Sequence, residues 1–343
     1  MTPPRLPAVL LTRRIFPESE RILRDSFTVL LPSGRAMSRK ELLSRAAPAE
    51  GLLCQLTDLI DEGVLARAPR LRAISVCAVG YENVDAAACA RRGIMVANTP
   101  GVLTEACADH AWALLLAAAR RVVEGDRICR RGRFQKWDLE YMLGKQVHGA
   151  VLGIVGLGRI GQAVARRALG FGMRILHYSV PPPGPFTGPD AGLRGKVEAV
   201  SLTRLLRESD FVTLHVPGGA ATRHMIGARE MARMKRGSIL VNSARGTVVD
   251  TAALQEALTG GRIAAAGLDV FEGEPAVPPG LRRLPNLVMT PHVASATYAT
   301  RHAMARLAAI NLVEMLGSKP SRAKLVVSPP TSPRGVAAAS GRP

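Results

Sequence analysis

Short, predominantly apolar runs recur along the chain at residues 8–11, 27–31, 51–54, 71–76 and 93–97, and again at 151–155, 174–178, 211–216, 238–242, 263–268 and 287–290. Runs with little polar alternation mark strands buried on both faces, as in a parallel sheet covered by helices. Helical patterns separate many of them: 8–31 reads as strand, helix, strand, and 150–178 as strand, glycine turn, helix (162–171), strand, a βαβ unit of ordinary length. This alternation predicts an α/β protein of doubly wound parallel sheets. Between the two groups of runs, Thr104 is placed to cap a helix, Glu105 suits its positive end, and Arg120 and Arg121 fall at its last carbonyls. Its interior, 108–119, is apolar nearly all round, which predicts burial between lobes or at a subunit contact. Residues 132–149 read as a loop, and Pro181, Pro182, Pro183 and Pro185 force another. A closing helix is expected over 303–316. Beyond Gly317 the chain is basic, rich in Pro, Ser and Ala and free of acidic residues, so a disordered tail is expected over 318–343.

At 343 residues the chain exceeds one ordinary core and predicts two domains. The apolar run 8–11 is too short for a signal-peptide core, and no stretch approaches the ~20 apolar residues of a membrane span. With five cysteines (Cys54, Cys77, Cys89, Cys107, Cys129) and no C-x-x-C, the expectation is free, mostly buried thiols in a cytoplasmic protein, with no metal site and no membrane partner. A net charge of +19 invites a nucleic-acid reading. The arginines are nevertheless scattered, often as pairs at helix ends, aromatics are only 4%, and no nucleic-acid-binding signature is present, so a solvated basic surface without a specific nucleic-acid partner is expected.

Chemistry concentrates behind the apolar runs of the second group. The run 151–155 breaks into Gly156-Leu157-Gly158-Arg159-Ile160-Gly161, a G-x-G-x-x-G in the strand–turn–helix context that a dinucleotide site demands. Gly156 permits the tight turn, Gly158 lets backbone approach a pyrophosphate, Gly161 lets helix and sheet pack, and the helix N-terminus attracts phosphate. The next strand ends at Ser179 with no carboxylate to hold a 2′-hydroxyl, which favours NADP over NAD, although Val180 supplies no arginine to clamp a 2′-phosphate. Arg245 follows the run 238–242, where a guanidinium fork can hold a carboxylate and polarise a keto oxygen, or salt-bridge the helix that starts near Asp250. His292 follows the run 287–290 and can give a proton to a forming alkoxide, with Glu274 to orient it and favour its charged form; packing is the alternative for a lone histidine. Asp269 either accepts from a nicotinamide carboxamide or caps a turn. The remaining histidines, His110 and His215 foremost, read as structural.

Residues 151–161, 241–250, 267–275 and 290–297 together resemble the signature segments of the D-isomer-specific 2-hydroxyacid dehydrogenases, over about residues 8–316. The resemblance implies two Rossmann-like lobes with a cleft between them: a discontinuous substrate-binding domain (1–101 and 293–317) and an NAD(P)-binding domain (102–292). It implies carboxylate binding by Arg245 and by backbone at Val79 and Gly80, a Glu274–His292 proton relay, and substrate selection near Leu53. Cofactor contacts are implied at Thr104, Gly156, Gly158, Arg159, Ile160, Ser179, Val216, Pro217, Thr222, Ala244, Arg245, Asp269 and His292, and a homodimer is implied. Among family branches the chain is most similar to glyoxylate and hydroxypyruvate reductases, enzymes that use NAD(P)H to reduce a small 2-keto acid to the D-2-hydroxy acid. A phosphoglycerate dehydrogenase-like enzyme and a dinucleotide-sensing, corepressor-like binding protein are the alternatives. Departures from the family pattern are Cys107 for threonine, Ala150 for lysine, Ala294 for glycine, and Val180 where NADP-using relatives carry arginine.

Overall fold

The computed structural model describes residues 6–317 and 323–328. The chain divides into two compact units, Met1–Pro100 with Arg301–Pro343, and Gly101–Thr300. In the first, strands β1 (Ala8–Leu11), β2 (Thr28–Leu30), β3 (Gly51–Cys54), β4 (Ala73–Val76) and β5 (Met95–Ala97) run parallel in the order β5-β4-β3-β1-β2. That order is flavodoxin-like. Alternate strand residues feed two cores: Leu10, Leu52, Ile74 and Val96 meet Val64, Leu65 and Cys89 on one face. Val9, Leu11, Leu53 and Ala97 meet Leu23, Ala308, Leu312 and Met315 on the other. The helix Tyr298–Leu316 thus covers this sheet, starting five residues before the predicted position.

In the second unit β6 (Val151–Val155), β7 (Arg174–Tyr178), β8 (Val197–Ala199), β9 (Phe211–Leu214), β10 (Ile239–Asn242), β11 (Ala265–Leu268) and β12 (Leu287–Met289) form a parallel sheet in the order β12-β11-β10-β9-β6-β7-β8. This is the Rossmann order extended by one strand, and its direction of winding reverses between β6 and β9. Helices Thr104–Ala119 and Arg159–Gly170 contribute Leu115, Ala163 and Val164 to the core with Leu152, Ile154 and Val241. Leu206 and Leu254 join Val155, Leu214 and Leu240 on the opposite face.

Two sequence expectations are corrected and one element is added. Helix Thr104–Ala119 is N-capped by Leu103 without a side-chain bond, so Thr104 is its first helical residue, not its cap. Within its own unit, Trp112 of this helix donates to the Val164 carbonyl at 3.1 Å and stacks on Phe171. A helix, Val122–Arg130, that the sequence does not announce follows, and none of its residues is buried. Finally, β13 (Leu325–Val327) pairs antiparallel with β5 inside the span expected to be disordered. Leu325, Val326 and Val327 are an apolar triplet, two of them β-branched, with a sheet edge to pair with, and that local pattern outweighs the polar composition around it. The rest of the expected tail, 318–322 and 329–343, lies outside the described residues.

Candidate active site

The winding reversal places the glycine turn beside the end of β9. Gly156 has φ +94°, and a side chain there would collide with the His215 backbone at 2.8 Å, so the turn requires glycine. Gly158 is the N-cap of helix Arg159–Gly170, and the space where its side chain would sit is open. The first turn of that helix carries no acidic residue, Arg159 is exposed there, and Ile160 packs on the core. A backbone cradle open above the positive end of a helix fits the pyrophosphate of a dinucleotide. Ser179 is half-buried, and its Oγ accepts the Leu157 N–H at 2.7 Å, tying the end of β7 to the glycine turn. Val216 and Pro217 follow β9, and Thr222 closes their loop by donating to the Pro217 carbonyl at 2.7 Å. Desolvation pushes the His215 imidazole down to about 4, and its Nε2 lies 2.9 Å from the Thr213 hydroxyl, so it belongs to the packing of the strand end.

Arg245, Glu274 and His292 follow β10, β11 and β12. The turn after β10 is shaped by buried Asn242, whose side chain accepts the Ala244 N–H at 3.0 Å and donates to the Arg245 carbonyl at 2.9 Å. The Arg245 guanidinium donates to the Ala244 carbonyl at 2.7 Å, so Ala244 is engaged at both its N–H and its C=O. Gly246 lets this turn lie against the next one, because a side chain there would fall 2.0 Å from the Phe271 carbonyl carbon. In that next turn Glu274 accepts the Phe271 N–H at 2.8 Å through Oε1 and meets His292 Nδ1 at 2.7 Å through Oε2. Burial works against ionisation of Glu274, but the His292 and Phe271 hydrogen bonds and the charges of His292 and Arg245 outweigh it and hold the carboxyl below its usual range. The imidazole is thus oriented and half-exposed, with an anion behind it at neutral pH.

Asp269 anchors the histidine turn. It is fully buried; its main-chain carbonyl accepts the His292 N–H at 2.8 Å, and its carboxylate accepts Val293 N–H, Ala294 N–H and the Thr290 hydroxyl at 2.8, 2.8 and 2.6 Å. His292 sits at φ +53°, a conformation costly for a non-glycine residue, and these bonds hold it there. Behind the carboxylate, His110 Nε2 lies 3.3 Å from Oδ1 and 2.9 Å from Thr290 Oγ1. His110 reads as structural from the sequence and Thr290 carries no role there; His110 interrupts an apolar helix far upstream of Asp269, and only the fold joins them.

Burial opposes ionisation of Asp269 too, and its four partners overcome it. Both Asp269 and Glu274 therefore stabilise the fold fully above the unfolded carboxylate range near ~4, and this stabilisation is lost as pH falls through their depressed native values. Asp269→Asn places an amide donor against a backbone N–H. A loss of about 1–3 kcal/mol is expected, with a flatter dependence of stability on pH below about 4, both readable from urea melts at several pH values. An unchanged melt would remove Asp269 as the anchor.

Three expected substrate contacts fall in the first unit. The Leu53 side chain is 1% exposed and packed with Val9, Leu11 and Leu312. Val79 and Gly80 follow β4, and Asn98 Nδ2 donates to the Val79 carbonyl at 2.6 Å, fixing that backbone.

Residues 112–294 match the family model described as D-isomer specific 2-hydroxyacid dehydrogenase, NAD binding domain. The chain is 50% identical over 311 residues to a glyoxylate reductase of Korarchaeum cryptofilum, covering 90% of this chain and 92% of that one. Among solved structures, a Thermus thermophilus protein superposes with a TM-score of 0.85 at 44% identity, covering 93% of this chain and 100% of that one. The NADPH-dependent glyoxylate/hydroxypyruvate reductase of Sinorhizobium meliloti, in complex with NADP and malonate, does so at 0.77 and 32%, covering 91% and 94%. With the glycine turn at the winding reversal and the arginine, glutamate and histidine at successive strand ends, the chain belongs to the D-isomer specific 2-hydroxyacid dehydrogenases and is an NAD(P)-dependent oxidoreductase.

Proposed function

We propose that the protein reduces a small 2-keto acid, glyoxylate or hydroxypyruvate, to the D-2-hydroxy acid with NADPH in preference to NADH. The carrying observation is the 2.7 Å contact between His292 Nδ1 and Glu274, with Arg245 close enough for its charge to depress the Glu274 carboxyl. Gly156, Gly158 and Arg159, with the loop closed by Thr222, would hold the dinucleotide, which supplies the hydride. Arg245 binds the substrate carboxylate through its fork and draws charge toward the keto oxygen. Because Nδ1 of His292 faces Glu274, Nε2 is the atom that gives its proton to the oxygen as the alkoxide forms, and Glu274 stabilises the charged ring before transfer. The preference for NADP rests on the absence of a carboxylate at Tyr178-Ser179-Val180, where an acidic side chain would repel a 2′-phosphate.

Val122, Phe134, Trp137, Leu139, Tyr141 and Leu143 are large apolar side chains exposed within one short segment, which favours a homodimer formed through it. A monomer in sedimentation at micromolar concentration would count against that assembly. Some of the arginine charge is engaged in internal pairs, such as Arg166 and Arg167 with Glu105, and Arg174 and Arg204 with Glu198, which favours a structural use of these arginines over a specific nucleic-acid role. Among the described residues no helix is long and apolar enough to cross a membrane, and the mostly buried cysteines suit a reducing, cytoplasmic setting.

The test is oxidation of NADPH and NADH, in parallel, with glyoxylate, hydroxypyruvate, pyruvate and an aromatic 2-keto acid. Rapid turnover of the two small polar acids with NADPH is expected. No oxidation with any of the four would overturn the reductase reading.

A further inference from the structure

A second histidine–carboxylate pair lies beside the residues already assigned. His224 Nε2 is 3.1 and 3.2 Å from the two oxygens of Glu272, and Arg223 reaches the same carboxylate at 2.8 Å. The other ring nitrogen of His224 faces Asp250 at 3.8 Å. His224 has φ +49°, so its backbone is held in a conformation that few non-glycine residues adopt. Its N–H donates to the Thr247 carbonyl at 2.8 Å, and Ile226 and Asp250 exchange further backbone bonds with Val248 and with Ile226.

Three segments meet at this pair. The loop ending in Thr222 runs directly into Arg223 and His224. The backbone bonds join His224 and Ile226 to the segment just after Arg245. Glu272 lies two residues before Glu274, in the turn against which Gly246 packs. Arg223 and His224 therefore connect the loop expected to touch the dinucleotide with the turn that carries the relay carboxylate, across the base of the Arg245 turn. Asp250 is already occupied as the N-cap of helix Thr251–Thr259, through Ala252 and Ala253 N–H, so Glu272 is the partner that joins the two segments.

We infer that His224 and Glu272 are positioning residues for the reaction, a clasp that couples dinucleotide binding to the alignment of Glu274 and His292. Neither touches the reacting atoms, and the inference rests on the reductase reading above. Opening the clasp frees the 217–224 loop and lets the 271–274 turn shift, and small misplacements of a relay are costly in rate.

The experiment compares wild type, Glu272→Ala, Glu272→Gln and His224→Asn as full chains, measuring KM for NADPH, kcat with glyoxylate and Tm. Asparagine tolerates the left-handed backbone but is too short to reach Glu272, so it removes the ring contact and spares the turn. Glutamine keeps an acceptor for the imidazole N–H. For Glu272→Ala and His224→Asn, KM for NADPH is expected to rise about three- to fivefold, the scale of a partly exposed ion pair, with kcat falling by at least as much. Glu272→Gln is expected to recover most of both. A lowered Tm with both constants unchanged per folded enzyme would make the pair merely structural and overturn the inference, as would a change confined to one constant or no recovery with glutamine. Wild-type protein inactive with every 2-keto acid would instead overturn the reductase reading, and the inference with it.

Discussion

Replacing His292 with alanine is expected to lower kcat by about 10²- to 10⁴-fold while NADPH affinity stays within about threefold, because the ring is the one group placed to move the proton. The size follows from the geometry. Glu274 holds Nδ1 at 2.7 Å and remains ionised at neutral pH, so the imidazole is aimed, with its Nδ1 edge against an anion. The neighbouring histidines cannot substitute: His215 packs at the end of β9, and His110 lies behind Asp269. The backbone complicates a simple reading, since alanine at φ +53° is itself strained by about 1–3 kcal/mol. His292→Asn separates the two effects, because asparagine accepts that backbone and still lacks the proton. Steady-state kinetics and fluorescence titration of NADPH on both variants decide it; substantial turnover in either would remove His292 from the relay.

Arg245→Lys is expected to raise KM for the keto acid by about 30- to 100-fold, the equivalent of losing one charge-assisted hydrogen bond of about 2–3 kcal/mol. Lysine keeps the charge but not the fork. The surrounding turn is set by Asn242 bonds to Ala244 N–H and to the Arg245 carbonyl, which do not depend on the residue 245 side chain, so the variant should fold. A KM close to wild type would mean that the substrate carboxylate is held elsewhere.

Much of the fold is legible in the chain because parallel strands buried on both faces leave uninterrupted apolar runs, and β6, β9, β10, β11 and β12 each lie within such a run. Arg245, Glu274 and His292 stand out for a related reason, since polar residues directly behind buried strands are where a doubly wound sheet gathers its chemistry. What stays hidden is what depends on distant partners. Asp269 offers two roles in sequence, and only its four bonds, to groups near His292 and to His110 from another helix, show it as an anchor. Leu53 illustrates the converse: being near the end of a strand says nothing of which way the side chain turns, and it turns inward. The pairing of His224 with Glu272 spans 48 positions, and no periodicity marks it.

The antiparallel strand Leu325–Val327 has a practical consequence. It occupies the outer flank of β5, where unsatisfied main-chain groups would otherwise offer a template to passing polypeptides. Trimming the chain at Gly317 to study its basic extremity would strip away that guard, so a truncated preparation that clumps would be reporting a naked margin, not a lost contact with some partner. Shortening after Ser328 leaves the guard in place.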